Sequence, residues 1–100
     1  MKLIYDTPAK QQALQEMFLQ AERNALRVFQ MLEDAKCHDD VIQPARTNLQ
    51  RIRNFIRLVA TWPTFIEIDT ADDIFSIAEI ALFDDEFFET LSSELKGESC

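Results

Sequence analysis

Residues 7–35, TPAKQQALQEMFLQAERNALRVFQMLEDA, decide the fold class. Thr7 followed by Pro8 reads as a helix start. A threonine hydroxyl there accepts from an unpaired backbone N–H, and proline at the first helical position lacks only an N–H that has no partner anyway. Leu14, Met17, Phe18, Ala21, Ala25, Val28, Phe29, Leu32 and Ala35 then recur by threes and fours. That spacing lays them on one stripe of a helix with 3.6 residues per turn. Leu19, Leu26 and Met31 widen the stripe. The pattern predicts a helix over 8–36, about 40 Å long at 1.5 Å per residue. So long a helix in so short a chain suggests that a second copy covers part of its apolar face, which makes a homodimer one expected assembly.

Working outward, Cys37, His38, Asp39 and Asp40 interrupt the stripe. Asp39 or Asp40 is expected to cap a second helix over 40–61, with Pro44 inside its first turn, where proline is tolerated. Ile42, Ala45, Leu49, Ile52, Ile56 and Val59 form its seam, flanked by Arg46, Gln50, Arg53 and Arg57. Pro63 ends it, because the residue before a proline avoids the helical region. Residues 64–68 are rich in β-branched and aromatic side chains, and with residues 2–5 they suggest a short two-strand ribbon. Thr70 and Asp73 resemble a capping box at the head of a third helix over 71–83. Its Ile74, Ile77, Ala78, Ala81 and Leu82 share one face, while Phe75, Ile80 and Phe83 fall outside it. A helix apolar nearly all round needs cover on two sides. A last helix over 85–96 turns Phe87, Phe88, Leu91 and Leu95 inward, with Gly97 just beyond. The expected fold is an all-α bundle of three or four helices in one domain, 1–100. The two amino-terminal helices form an antiparallel hairpin, and the last two pack across it.

Charge is unevenly placed. The chain has a formal net charge of −8. Residues 1–60 hold nine basic and seven acidic side chains; residues 61–100 hold one basic and eleven acidic. A net negative chain gains nothing from counterion release, so direct binding to nucleic acid is disfavoured, and so is an anionic membrane. Uncharged apolar runs fall far short of the roughly 18 residues a membrane span requires. The opening residues reach a charge too early for a secretory apolar region. Two cysteines, Cys37 and Cys100, do not make a disulfide framework, so free thiols and a cytoplasmic location are expected.

No catalytic constellation emerges. There is one histidine, His38, and the single glycine cannot build a phosphate loop. The pairs Asp72–Asp73 and Asp84–Asp85 fall at expected helix starts, where carboxylates meet unpaired N–H groups and the helix dipole. Cys37, His38, Asp39 and Asp40 are four consecutive residues and cannot converge on one ion, so neither a metal nor a cofactor is expected. The arginine row is expected to pair with the acidic carboxy-terminal helices, its stems lying along the seam.

The main binding candidate is the acidic block, in particular Asp72, Asp73, Glu79, Asp84, Asp85, Glu86 and Glu89. Phe65, Phe75, Phe83, Phe87 and Phe88 lie among these carboxylates, and aromatic anchors ringed by charge are typical of interface hot spots. Two expectations follow. One is an inhibitor that occludes the basic, nucleic-acid-binding surface of a partner protein, as immunity and phage anti-defence proteins do. The other is a helical chaperone or assembly subunit that covers an apolar segment of a client.

Overall fold

A computed structural model describes the backbone of residues 2–61, 65–67 and 71–97, and the side chains of 4–61 and 75–96. The chain runs β1 (Lys2–Ile4), α1 (Pro8–Asp34), α2 (Asp39–Thr61), β2 (Phe65–Glu67), α3 (Ala71–Ala81) and α4 (Asp85–Gly97). It is the expected all-α bundle with a two-strand ribbon. The strands pair antiparallel, with Lys2 opposite Glu67 and Ile4 opposite Phe65. The candidate capping box at Thr70 and Asp73, the Trp62–Pro63 stop and the tail 98–100 lie outside the described residues or side chains.

α1 begins as its sequence dictates. Thr7 is extended, its hydroxyl accepts from the Lys10 N–H, and Pro8 opens the helix. It ends two residues earlier than the periodicity suggests, because Lys36 takes a left-handed conformation at φ 56°. The Lys36 N–H then donates to the Glu33 carbonyl and the Cys37 N–H to the Leu32 carbonyl. This Schellman arrangement pairs carbonyls that the last turn would otherwise leave open. A side chain at such a φ costs about 1–2 kcal/mol. Glycine would remove that cost but add about 0.4–1 kcal/mol of unfolded-chain entropy. Lys36→Gly is therefore expected to raise stability by about 0.5 kcal/mol, read as a higher urea midpoint at unchanged slope. A lowered midpoint would mean that the lysine side chain contributes more than its backbone costs.

α2 is capped by His38, not by Asp39 or Asp40. The His38 carbonyl accepts from the Ile42 N–H. Its Nδ1 accepts from the Asp40 N–H at 3.3 Å. Asp39 and Asp40 instead occupy the first turn, where the dipole favours them. This start, one residue earlier than expected, makes Pro44 the sixth residue of the helix, past its first turn, on the exposed side where water can reach the carbonyl its ring leaves unpaired. Cys37 is buried and disulfide-bonded, so the expectation of a free thiol fails at that position. The other cysteine, Cys100, lies outside the described residues.

α1 and α2 form the antiparallel hairpin. Phe18 meets Phe55 with ring centroids 5.9 Å apart, Glu22 meets Arg53, and the Phe29 ring lies under Arg46. Phe18, Ala21, Ile52, Phe55, Val59, Tyr5 and Ile77 make the centre of the core. Burial pushes the Tyr5 phenol above its ordinary pKa. α3 packs along α1, and α4 makes a slighter contact with it. Phe88 is buried beneath Arg27, whose guanidinium sits 4.1 Å from the ring centroid. The resulting body is elongated, 47 × 24 × 19 Å, close to the roughly 40 Å length of α1 itself. The long helix is thus lined within its own chain, by α2 on one flank and by α3 and α4 on another.

Candidate functional site

The arginine row does not face the acidic block. Arg46 and Arg53 turn toward α1 on the flank opposite the Asn24 side chain that meets α3. There Arg53 Nε bonds Glu22 Oε2 at 3.2 Å, and Arg46 lies over Phe29. The expected pairing of these arginines with the carboxy-terminal carboxylates is therefore absent among the described residues. The Arg53–Glu22 pair is half exposed and worth under about 1 kcal/mol.

Four carboxylates of the block meet no cation among the described residues. Glu79, Asp85, Glu86 and Glu89 are exposed and enter no hydrogen bond or ion pair among the described residues. Asp85 and Glu86 lie in the first turn of α4, and Glu89 follows four and three residues on, so the three share one side. Asp84 is engaged within its own turn, where its Oδ1 accepts from the Phe87 N–H at 2.9 Å and caps α4. Asp72 and Asp73 fall in the first turn of α3, and their side chains lie outside those described.

Among its described side chains, α3 is covered on one side. Ile77 is buried and Ile80 and Ala81 are half-buried against α1. Phe75, by contrast, is 63 % exposed and Leu82 80 % exposed. The sequence reading turned Leu82 inward on a helix reaching residue 83; in the structure α3 stops at Ala81, and Leu82 swings out in the turn. Phe75 stands on α3 and Leu82 in the turn just past its end, seven residues on, with the exposed Glu79 between them in the chain.

Asn24 explains the early stop. It is the one buried polar side chain among the described residues, 6 % exposed, in the middle of α1. Its Nδ2 donates to the Ile80 carbonyl at 2.8 Å, with the Phe83 and Ala81 carbonyls at 3.3 and 3.4 Å. These are the groups an α-helix leaves open at its carboxy terminus. Gln20 Nε2 donates to Asn24 Oδ1 at 3.1 Å, and Arg23 Nη2 donates to Gln20 Oε1. That chain fixes the amide so that its N–H₂ points at α3. Sequence reasoning passed over Asn24. The available signal was its place on the buried stripe, three residues after Ala21 and four before Val28.

Past this cap the chain turns into an aromatic corner. Phe83 stacks on Phe87 with centroids 3.8 Å apart, and Phe88 meets both edge-on. α2 makes at most marginal contact with α3 or α4. The gap leaves an open apolar cleft of about 220 Å³, floored by Ala25 and Val28 and walled by Ala45, Asn48, Phe83 and Phe87. Its size suits one large side chain rather than a drug-sized ligand. No three His, Cys, Asp or Glu side chains gather as metal ligands among the described residues. No helix there is long and apolar enough to cross a membrane.

No family model, no curated protein and no solved structure matches the chain.

Proposed function

We propose that this protein is a binding module and not an enzyme: an acidic inhibitor that covers a basic, nucleic-acid-binding surface of a partner protein. The observation that supports this reading is a conjunction. Glu79, Asp85, Glu86 and Glu89 have no cation of their own among the described residues, and Phe75 and Leu82 stand exposed in the same stretch of chain. Carboxylates without internal partners are available to the Arg and Lys side chains that grip phosphates. They would steer the encounter and reject acidic competitors. Exposed apolar side chains would then supply the desolvated anchor that charge alone does not.

The test uses the protein immobilised as bait, with capture compared at low and high ionic strength. Screening shortens the reach of charge from about 10 Å at 0.1 M salt to about 3 Å at 1 M, so captured nucleic-acid-binding proteins are expected to be released as salt rises. Added duplex DNA or RNA should release them too. A variant carrying Asp85→Asn, Glu86→Gln and Glu89→Gln should capture them poorly. Capture indifferent to salt, to competing nucleic acid and to these substitutions would sink the reading.

A second reading, a chaperone or assembly subunit for an apolar client segment, is favoured by the cleft at Ala25, Val28 and Phe87. It predicts the opposite salt response, since apolar burial strengthens when salting-out ions are added. The inhibitor reading also implies a cytoplasmic location. The disulfide at Cys37 points instead to an oxidising compartment, and alkylation of Cys37 in freshly lysed cells separates the two.

A further inference from the structure

We propose that the outer face of α3 is the seat of a basic amphipathic helix of the partner, with Phe75 and Leu82 as anchors and Glu79 as the selector of a Lys or Arg. This rests on the reading of the chain as a protein-binding module. The face has the elements such an interface needs: two large apolar side chains, one on α3 and one just past its end, both mostly exposed, and one exposed carboxylate between them in the chain. A helix packed along α3 would meet them with its own apolar residues at three- and four-residue spacing, the usual anchoring pattern of helix recognition.

Charge decides what the occupant is. A second copy is the natural rival, because an exposed apolar helix face often pairs with itself about a two-fold axis. Here antiparallel pairing of α3 with α3 of another copy would set Phe75 against Leu82 and bring both Glu79 carboxylates beside the axis. α3 carries no lysine or arginine of its own to offset that repulsion, and the α1 cations Arg23 and Arg27 are engaged with Gln20 and the Phe88 ring. Asp84, Asp85 and Glu86, immediately beyond Leu82, would add to it. A partner helix with a cation opposite Glu79 turns the same geometry into attraction. The like-charge penalty then works as a filter against self-association.

The experiment uses the full chain and three labelled synthetic peptides: an amphipathic helix of leucine and lysine, the same pattern with glutamate for lysine, and an oligolysine of equal charge. The protein is expected to bind the leucine–lysine helix, to reject the leucine–glutamate helix and to bind oligolysine roughly tenfold more weakly or worse. Phe75→Ser with Leu82→Ser should weaken the leucine–lysine complex roughly tenfold or more, with helix content unchanged by circular dichroism. Glu79→Lys should shift preference toward the leucine–glutamate peptide. Sedimentation equilibrium should show a monomer.

Equal affinity for oligolysine, no loss in the double serine variant, or no binding of the leucine–lysine helix would each overturn the proposal. So would a wild-type dimer that the double variant dissociates. If a captured partner ignores the serine substitutions but is lost with the α4 carboxylates, the α3 inference fails while the inhibitor reading stands. If neither set of substitutions matters, both fail.

Discussion

Asn24→Asp is expected to destabilise the protein by about 3 kcal/mol or more, the cost of an unpaired buried charge. Asn24 is almost the same shape as aspartate, so packing is not what changes. The amide now donates toward three carbonyls at the end of α3; a carboxylate there would face them as a fourth acceptor, with nothing to give. Asn24→Leu removes the donor without adding a charge, and is expected to cost about 1–3 kcal/mol. Thermal melts read the order directly, since each kcal/mol moves the midpoint of a domain this size by about 4–8 °C.

The pH dependence has a definite sign. The introduced carboxyl is favoured in its neutral form when folded, because only that form donates, so its pKa rises above the ordinary value of about 3.9. The penalty relative to the parent protein is therefore small below that value and grows as pH rises through it. If Asn24→Asp proves no worse than Asn24→Leu at neutral pH, the amide is not the cap on α3.

Phe18→Ala is expected to cost about 3–5 kcal/mol, the range for truncating a buried aromatic ring. Phe18 has no exposed surface and packs at a tilt against Phe55 across the α1–α2 hairpin. It sits where α2 and α3 meet on α1, so the cavity would open at the centre of the core and not at its edge. Against a total stability of about 5–15 kcal/mol, this loss brings the protein near unfolding at body temperature. Phe75→Ser supplies the contrast: the same aromatic ring, 63 % exposed, should change stability by no more than about 0.5 kcal/mol. Urea titrations of the two variants test the distinction on which the α3 interface depends. A large loss in Phe75→Ser would make that ring structural and rule it out as an anchor.

The periodicity of residues 7–35 was enough for the helical hairpin, because a stripe at three- and four-residue spacing has few other ways to leave water. Helix starts with a strong local signal were equally legible. Thr7–Pro8 and Asp84 cap through their own side chains within a single turn, and no distant residue is needed. The acidity of residues 61–100 was visible as composition. What composition left open was which cations, if any, these carboxylates would meet.

Helix ends that depend on something remote were not legible. α3 stops at Ala81 because Asn24, more than fifty residues earlier, supplies the N–H groups its terminal carbonyls need. Arg46 and Arg53 of α2 are engaged with Phe29 and Glu22 of α1 and not with α4, and only the placement of the helices around α1 reveals it. Local sequence determined the four helices, the hairpin and the surplus of negative charge, because each is a matter of neighbours within a turn or two. The tertiary structure alone decided which carboxylates stay unpaired and which apolar side chains stay uncovered, because both depend on what the rest of the chain fails to bring within reach.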